Sequence, residues 1–270
     1  MSKKPPKHRA DQLLVERELA PTRGRAQALI LAGNVFSGDV RIEKAGQQLA
    51  KDAPLRVREK LKYVSRGGLK LEGALRDTGF DPRGLRAADV GASTGGFSDC
   101  LLQRGVSKVF AIDVGHGQLA QKLRCDARVV LMERTNARHL QAEQLDGGVE
   151  LVVVDASFIG LDKLLPAIAR ITLPGGHLLA LIKPQFEVGR EVASRSGGVI
   201  SDPIERQAAV DSALAAIESA GFRLISNHPC RLAGPKGNVE HIALAQLSEA
   251  KHEDDDQLSD DQSNEPQPTR

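Results

Sequence analysis

A glycine-rich turn between a predicted strand and a predicted helix constrains the fold of this chain more than any other feature. An apolar run at 85–90 leads into the sequence DVGASTGGFS at 89–98, and we expect a helix to begin near Gly95. Glycines let a backbone pass close to a ligand, and a helix N-terminus presents free N–H groups to an anion. The turn therefore predicts either a ligand-binding loop or an ordinary tight turn of an α/β domain.

The glycine spacing excludes two common nucleotide-binding loops, since it is neither G-x-G-x-x-G nor G-x-x-x-x-G-K-[ST]. A second buried strand is predicted over 108–113 and ends at Asp113. A carboxylate at that position, roughly 20 residues after the turn, can accept hydrogen bonds from both hydroxyls of a ribose. The turn and Asp113 together favour a cofactor that contains adenosine.

Composition indicates a soluble globular protein with one large and one small domain. The chain has 270 residues, of which 41% are hydrophobic and 27% charged. No apolar run approaches the ~20 residues of a membrane span, and no signal core follows the basic N-terminus. The three cysteines lack CxxC spacing. We therefore expect a cytoplasmic protein without a metal site or membrane contact.

Charge is distributed unevenly along the chain. Residues 1–70 contain 16 Lys and Arg against 7 Asp and Glu, whereas residues 248–270 contain 2 against 8. The basic front end favours binding to a polyanion such as nucleic acid, although a merely solvated basic face has the same composition. The acidic end lacks periodicity, which predicts a disordered tail over 248–270. Aromatic residues make up only 3%, so recognition through stacked aromatic side chains is not expected.

Residues 8–62 predict a small α+β domain with helices over 10–19 and 23–32, followed by a hairpin. The pattern resembles the S-four-like RNA-binding domain; the alternative is an unrelated small α+β domain. The resemblance depends on Arg9, Asp11, Leu13, Leu14, Arg25, Ala26, Leu29, Ile30, Gly33 and Val35. In that family the second helix and the hairpin face RNA phosphates. The residues that we assign to RNA binding are Arg9, Arg23, Arg25, Arg41 and Arg66.

A basic linker is predicted at 63–68, and strand and helix patterns alternate over 69–247. This alternation predicts an α/β fold with a doubly wound, mainly parallel sheet and a ligand at the carboxyl ends of its strands. The predicted strands cover 86–91, 108–113, 128–132, 150–155, 177–183, 222–227 and 240–246. The predicted helices cover 69–78, 96–104, 116–123, 160–170 and 203–219.

Four charged residues lie where such a sheet places its active site. Lys70 opens the first helix of the large domain, Asp155 and Lys183 end apolar strands, and Glu240 begins the last strand. A charge at a buried strand end suits a site and is poorly placed for packing, although each residue alone also fits an ion pair. A neutral Lys183 can accept a proton from a ribose 2′-hydroxyl as that oxygen attacks a methyl group on a sulfonium.

The order of these residues matches the Lys-Asp-Lys-Glu tetrad of the FtsJ-like ribose 2′-O-methyltransferases. Over about 8–247 the chain resembles the TlyA family, which joins an S-four-like domain to a Rossmann-like domain that uses S-adenosylmethionine (SAM). The stretches that carry the resemblance are SRGGLKLEGAL, DVGASTGGF, VDASFIGL, LIKPQFEVG and KGNVEHI. The resemblance implies 2′-O-methylation of cytidine in ribosomal RNA of the small subunit, the large subunit or both.

The same resemblance implies roles for individual residues. Lys183 would be the central catalytic lysine, supported by Lys70, Asp155 and Glu240. The residues implied to bind SAM are Asp89, Gly91, Ser93, Thr94, Gly95, Gly96, Asp113, Asn136 and Asp155. Asn136 would lie near the adenine, a position for which Glu133 and Arg134 compete. Residues 186–200 are rich in Gly, Ser and Arg and predict a loop over the site.

Three other functions remain as alternatives. A methyltransferase acting on an RNA base is disfavoured because the strand end at Asp155 does not read Asn-Pro-Pro-Tyr and no cysteine lies at a matching strand end. A non-catalytic ribosome-assembly factor would not need the intact tetrad. TlyA proteins have also been named hemolysins, but the sequence contains neither a signal peptide nor an amphipathic membrane segment.

Overall fold

The structure is a computed structural model that describes residues 7–58, 61–188, 198–234 and 237–249. The chain divides into two compact units, residues 1–62 and residues 63–270. The predicted tail lies outside the described residues from position 250 onward, and so does 189–197 of the predicted loop.

The first unit combines two helices with short antiparallel strands. Its elements are β1 (Lys7–Arg9), α1 (Ala10–Glu16), α2 (Arg23–Leu31), β2 (Val35–Ser37), β3 (Val40–Arg41), β4 (Gln48–Ala50) and β5 (Leu55–Val57). β2 lies between β3 and β5, and β1 pairs with β4. Thr22 caps α2 by accepting the backbone N–H of Arg25 at 3.2 Å. The helices and the hairpin agree with the sequence pattern; the S-four-like assignment stays a prediction.

The second unit is built on a seven-stranded sheet with helices on both faces. Its elements are α3 (Arg66–Thr78), β6 (Arg86–Val90), α4 (Gly96–Gln103), β7 (Lys108–Ile112), α5 (Gln121–Arg124), β8 (Val129–Met132), β9 (Val149–Val154), α6 (Leu165–Ile171), β10 (Thr172–Ile182), α7 (Pro184–Glu187), α8 (Pro203–Ser219), β11 (Phe222–Pro229) and β12 (His241–Leu247). The strand order is β11-β12-β10-β9-β6-β7-β8, and within this described sheet β12 alone runs in the direction opposite to the other strands. The predicted α/β fold is confirmed.

The central strands are buried on both faces. Val152 and Val154 of β9 pack in the apolar core on one side of the sheet, and Leu151 and Val153 pack in the core on the other. A parallel strand covered on both faces carries a continuous apolar run rather than an alternating one. This is why the ends of β9 and β10, directly before Asp155 and Lys183, could be read from the sequence.

The predicted linker at 63–68 belongs to the second unit instead. Tyr63 is buried in its core, and the backbone N–H of Val64 donates to Asp99 Oδ2 at 2.8 Å. Helix α3 begins at Arg66 rather than at position 69. The sequence did not predict this first turn because it contains two glycines, which are poor helix formers and are typical of loops.

Two predicted helices are shorter in the structure. The pattern at 116–123 yields only α5, because Asp113 accepts the N–H of Gly115 at 2.6 Å and Gly117 adopts a left-handed φ of 72°. The pattern at 160–170 splits into a 3-10 turn and then α6, which has a proline in its first turn. None of the described helices is long and apolar enough to span a bilayer.

Candidate active site

The glycine-rich turn connects β6 to α4 in a conformation that few residues adopt. Gly91 has a φ of 87°, and Ser93 has a left-handed φ of 48° although it is not glycine. A Cβ at Gly91 would lie 2.9 Å from the carbonyl oxygen of Asp155. Only glycine lets the turn pass this close to the end of β9, which brings the two segments to one site.

A cavity of about 940 Å³ opens at the carboxyl edge of the sheet. Its walls come from the glycine-rich turn, the start of α3 and the segments that follow β9 and β10 and precede β12. The predicted site residues that line it are Arg66, Lys70, Asp89, Gly91, Ser93, Thr94, Gly96, Asp155, Lys183 and Glu240. The structure therefore brings all four predicted catalytic residues to the wall of one cavity.

The four charged residues form two ion pairs. Lys183 Nζ lies 2.6 Å from Asp155 Oδ1, and the side chain of Lys183 is only 8% exposed. Lys70 pairs with Glu240, which is completely buried. Because β12 runs antiparallel to β10, its beginning lies at the same edge as the carboxyl ends of the parallel strands. This reversal delivers Glu240 to the site.

The ammonium group of Lys183 is held by three acceptors. Besides Asp155 Oδ1, it donates to Ser157 Oγ at 2.8 Å and to the carbonyl oxygen of Asp155 at 3.5 Å. The ring centroid of Phe186 lies 5.9 Å from Nζ. Fixed acceptors and an aromatic ring therefore restrict the orientations that this lysine can adopt.

Asp89 supplies a second polar wall of the cavity. It is completely buried, and its Oδ2 accepts the N–H of Ser98 at 2.8 Å and the hydroxyl of Ser98 at 2.6 Å. Burial raises the pKa of Asp89 to about 7. Three buried acceptors at the cavity have no hydrogen-bond partner within the described part of the chain: Asp89 Oδ1, Gln185 Oε1 and Glu240 Oε1. Such acceptors fit a ligand that carries N–H donors or positive charge.

Three residues predicted to bind the cofactor lie outside the cavity wall. Gly95 has a φ of 94°, and a Cβ there would meet Leu123, so this glycine shapes the turn from the core side. Asp113 accepts the N–H groups of Ser93 at 2.8 Å and Gly115 at 2.6 Å and thereby supports the turn from behind.

Asn136, the third of these residues, caps a short 3-10 helix by accepting the N–H of Arg138 at 3.2 Å. The loop that contains it lies beside the Asp113 loop, because the N–H of Thr135 donates to the carbonyl oxygen of Asp113 at 2.9 Å. A cofactor role for Asn136 stays a prediction, as do the roles of Gly95 and Asp113.

Sequence reasoning assigned no role to Ser157, Phe158 or Phe186, although it predicted a loop over the site that begins at position 186, where the structure still has helix α7. Phe158 is 91% exposed and has a left-handed φ of 67°, and its ring centroid lies 5.4 Å from that of Phe186. The low aromatic content argued against a stacking surface, yet three of the seven phenylalanines, Phe97, Phe158 and Phe186, line this cavity. A bulky residue in the left-handed region and in contact with solvent is a common mark of a functional site.

The arginines assigned to RNA differ in their surroundings. Arg9 and Arg23 both donate to the buried Asp11. Arg25 and Arg41 are exposed on the first unit, and the Arg41 guanidinium packs over Gly33 at the end of α2. Arg66 lies at the start of α3 and donates to the carbonyl oxygen of Ala233 at 3.2 Å.

The profile of FtsJ-like methyltransferases matches residues 63–247, which is most of the chain and contains the whole cavity. The chain belongs to the FtsJ-like methyltransferase family. The matched range contains Lys70, Asp155, Lys183 and Glu240, the four residues that the sequence resemblance implied to be catalytic.

Individual relatives agree with this family. The chain is 42% identical over 236 residues to the 16S/23S rRNA (cytidine-2′-O)-methyltransferase TlyA of Mycobacterium tuberculosis, covering 87% of this chain and 88% of that protein. It is 35% identical over 180 residues to the 23S rRNA (cytidine-2′-O)-methyltransferase TlyA of Campylobacter jejuni, covering 67% and 69%. A solved structure of a candidate hemolysin from Streptococcus thermophilus aligns with a TM-score of 0.69 and 37% identity, covering 91% and 90%. The predicted resemblance to TlyA proteins is confirmed.

Proposed function

We propose that this protein transfers a methyl group from SAM to the 2′-hydroxyl of a cytidine in ribosomal RNA. The observation that carries the proposal is the assembly of Lys70, Asp155, Lys183 and Glu240 at one cavity of an FtsJ-like methyltransferase. Both TlyA relatives above are named for 23S rRNA, so we take the large subunit as the first substrate to test. Such a substrate places the protein in the cytoplasm.

The cavity fits SAM by size and by chemistry. Its volume of about 940 Å³ falls within the range of small-molecule sites. The glycine-rich turn leaves space that a side chain at Gly91 would remove, and Asp89 Oδ1 lacks a partner among the described residues. We assign Gly91, Ser93, Thr94 and Asp89 to the methionine end of the cofactor. Asp113 is assigned to the ribose.

Lys183 would act as the general base. When bound, SAM supplies an electrophilic methyl group on a sulfonium. A neutral Lys183 Nζ takes the proton of the ribose 2′-hydroxyl as that oxygen attacks, while Asp155 and Ser157 orient the amine. The ion pair with Glu240 holds Lys70 at the wall of the same cavity. Most of the remaining rate enhancement comes from alignment of the reacting atoms.

Two sets of residues would bind RNA, one in each unit. Phe158, exposed beside Phe186, offers a face on which a nucleobase turned out of its helix can stack. Arg9, Arg23 and Arg25 of the first unit are assigned to phosphate groups, in keeping with an S-four-like domain. Within the described ranges no group of three His, Cys, Asp or Glu side chains is placed to hold a metal ion, and we assign none.

Substitution of Lys183 tests the proposal. Lys183→Ala should lower methyl transfer by about 10²–10⁴-fold while SAM binding persists, and Lys183→Arg should also fail because a guanidinium keeps its proton. The assay follows labelled methyl from SAM into large ribosomal subunits, with nuclease digestion to locate it. Lys163, which is 66% exposed, supplies the matched control Lys163→Ala, expected to be active. Label on a base, or normal turnover by Lys183→Arg, would contradict the proposal.

A further inference from the structure

A buried carboxylate in the first unit accepts hydrogen bonds from two arginines. Asp11 is completely buried, and Arg9 donates to it from Nε at 2.9 Å and from Nη2 at 3.1 Å. Arg23 Nε and Gln27 Nε2 donate to Asp11 Oδ2 at 2.9 Å and 3.0 Å. Since Arg9 Nη2 and Arg23 Nε share that one oxygen, the two guanidinium groups lie side by side.

Both arginines keep donor groups that face solvent. The side chains of Arg9 and Arg23 are 39% and 52% exposed. Within the part of the chain that the structure describes, Arg23 donates only through Nε, which leaves its two Nη groups for an oxyanion. A Cβ at Gly46 would lie 3.2 Å from Arg9 Nη1, so a glycine at this position keeps a side chain away from Arg9.

The charges in this cluster do not cancel. Two guanidinium groups share one carboxylate, so the cluster carries a net positive charge at its exposed side. The hydrogen bonds from Arg9, which has the largest influence, hold the pKa of Asp11 well below its usual range, and the carboxylate stays ionised at neutral pH. An arginine whose fork is already oriented loses less entropy when it binds a phosphate bidentately.

We propose that Asp11 is a positioning residue for RNA binding, which holds Arg9 and Arg23 as a preformed pair that receives one backbone phosphate. The inference rests on the proposed function, because it takes ribosomal RNA as the polyanion. According to this inference, a negatively charged residue that is buried and cannot touch RNA nevertheless strengthens the binding of RNA. Charge alone predicts the opposite effect, since removal of a carboxylate should strengthen binding to RNA.

The test is the affinity of Asp11→Asn for large ribosomal subunits, measured in the full-length protein at several salt concentrations. We expect about a tenfold higher Kd, the order expected for the loss of charge-assisted hydrogen bonds. The slope of log K against log salt should become shallower by about one phosphate contact. The matched control is Asp39→Asn, whose side chain is fully exposed; its Kd should stay the same or fall.

A double-mutant cycle separates positioning from a purely structural role. If Asp11 acts through its two arginines, Asp11→Asn should not weaken binding further in the Arg9→Gln/Arg23→Gln background. A structural role would weaken binding in both backgrounds. Circular dichroism and thermal melting establish whether each variant is folded, and Gln27→Leu, which leaves both ion pairs in place, should bind RNA nearly as wild type does.

Unchanged or tighter RNA binding by a folded Asp11→Asn variant would overturn the inference. So would an equal loss of RNA affinity on Asp11→Asn in the Arg9→Gln/Arg23→Gln background. Either result leaves the proposed function intact, because methyl transfer by the wild-type protein is measured separately. Conversely, a wild-type protein that binds subunits through Asp11 but places no methyl group on ribose would contradict the proposed function alone.

Discussion

The Nζ atom of Lys183 lies 2.8 Å from the hydroxyl oxygen of Ser157, two residues beyond the carboxylate with which the same lysine pairs. The segment after β9 therefore supplies both a charged and a neutral acceptor to one ammonium group. The neutral acceptor can remain in place when the lysine loses its proton, because a hydroxyl group also donates hydrogen bonds.

Removal of this hydroxyl should slow methyl transfer without affecting cofactor binding. For Ser157→Ala we expect kcat to fall by about tenfold, because the amine loses one of the groups that orient it. Ser157→Thr keeps the hydroxyl and should recover most of the rate. Single-turnover transfer of labelled methyl, together with SAM binding by calorimetry, is the measurement; full activity of Ser157→Ala would show that the contact is dispensable.

Loss of one partner of the buried Lys70–Glu240 pair should destabilise the protein strongly. Lys70→Met leaves the Glu240 carboxylate buried without its cation, for which we expect a loss of about 3 kcal/mol in the free energy of unfolding. The double variant Lys70→Met/Glu240→Gln should recover part of that stability and still be inactive.

Urea denaturation measures these losses, and an exposed pair provides the comparison. Lys163 and Asp162 are 66% and 50% exposed, so Lys163→Met should change the free energy of unfolding by no more than about 0.5 kcal/mol. Equal losses in the free energy of unfolding for Lys70→Met and Lys163→Met would mean that water solvates Glu240 well enough to compensate for the loss of Lys70.

Asp89 should make the stability of the protein depend on pH. Burial raises its pKa to about 7, so between about pH 4 and pH 7 the folded protein keeps a proton that the unfolded chain has released. The contribution of Asp89 to the free energy of unfolding therefore decreases as the pH rises through that window, and it stays constant at higher pH. The free energy of unfolding should therefore fall less between about pH 5 and pH 8 in Asp89→Asn than in the wild-type protein, by about 2 kcal/mol.

Glu187 offers a matched comparison, because burial also raises its pKa to about 7 but it does not line the cavity. Asp89→Asn and Glu187→Gln should both flatten the pH dependence of the free energy of unfolding. Only Asp89→Asn should weaken SAM binding in calorimetry. Equal SAM affinity in the two variants would remove Asp89 from the cofactor site.

Two glycines associated with α3 should respond in opposite directions to alanine. A Cβ at Gly96 would lie 2.8 Å from the backbone nitrogen of Gly68, so Gly96→Ala should cost about 1–3 kcal/mol and reduce activity by displacing the helix that carries Lys70. Gly73 lies inside α3, and apart from its own helix backbone and chain neighbours no atom of the described residues lies within 4 Å of its added Cβ. Gly73→Ala should therefore stabilise the protein by about 0.5–1 kcal/mol. Thermal denaturation and the methyl-transfer assay measure both; destabilisation by Gly73→Ala would refute the comparison.

Continuous buried strands made much of the site predictable. Asp155 and Lys183 follow β9 and β10, whose apolar runs end abruptly, and the carboxyl ends of parallel strands meet at one edge. The partnership of Lys70 with Glu240 joins residues 170 positions apart and follows from the antiparallel β12, which local patterns do not specify. The sequence singled out both residues only by their places at the start of a predicted helix and a predicted strand, and the family resemblance implied their roles.

Loop geometry accounts for what the sequence did not reveal. Ser157 and Phe158 lie in a segment without periodicity, and the left-handed backbone of Phe158 depends on its surroundings rather than on its own preference. The helix expected from position 116 is shortened because Asp113 and Glu133 bind the N–H groups of Gly115 and Gly117. A pattern of apolar residues does not reveal such competition, in which side chains bind backbone N–H groups next to the expected helix.

The position of β12 between β10 and β11 has a consequence for biosynthesis. Within the described sheet β11 pairs only with β12, so this side of the sheet is incomplete until the hairpin of β11 and β12 has been synthesised and has docked on β10. Until that hairpin docks, Lys70 lacks its acidic partner and one wall of the cavity is missing. A chain that ends before Glu240 therefore lacks the carboxylate that pairs with Lys70 and has an incomplete cavity.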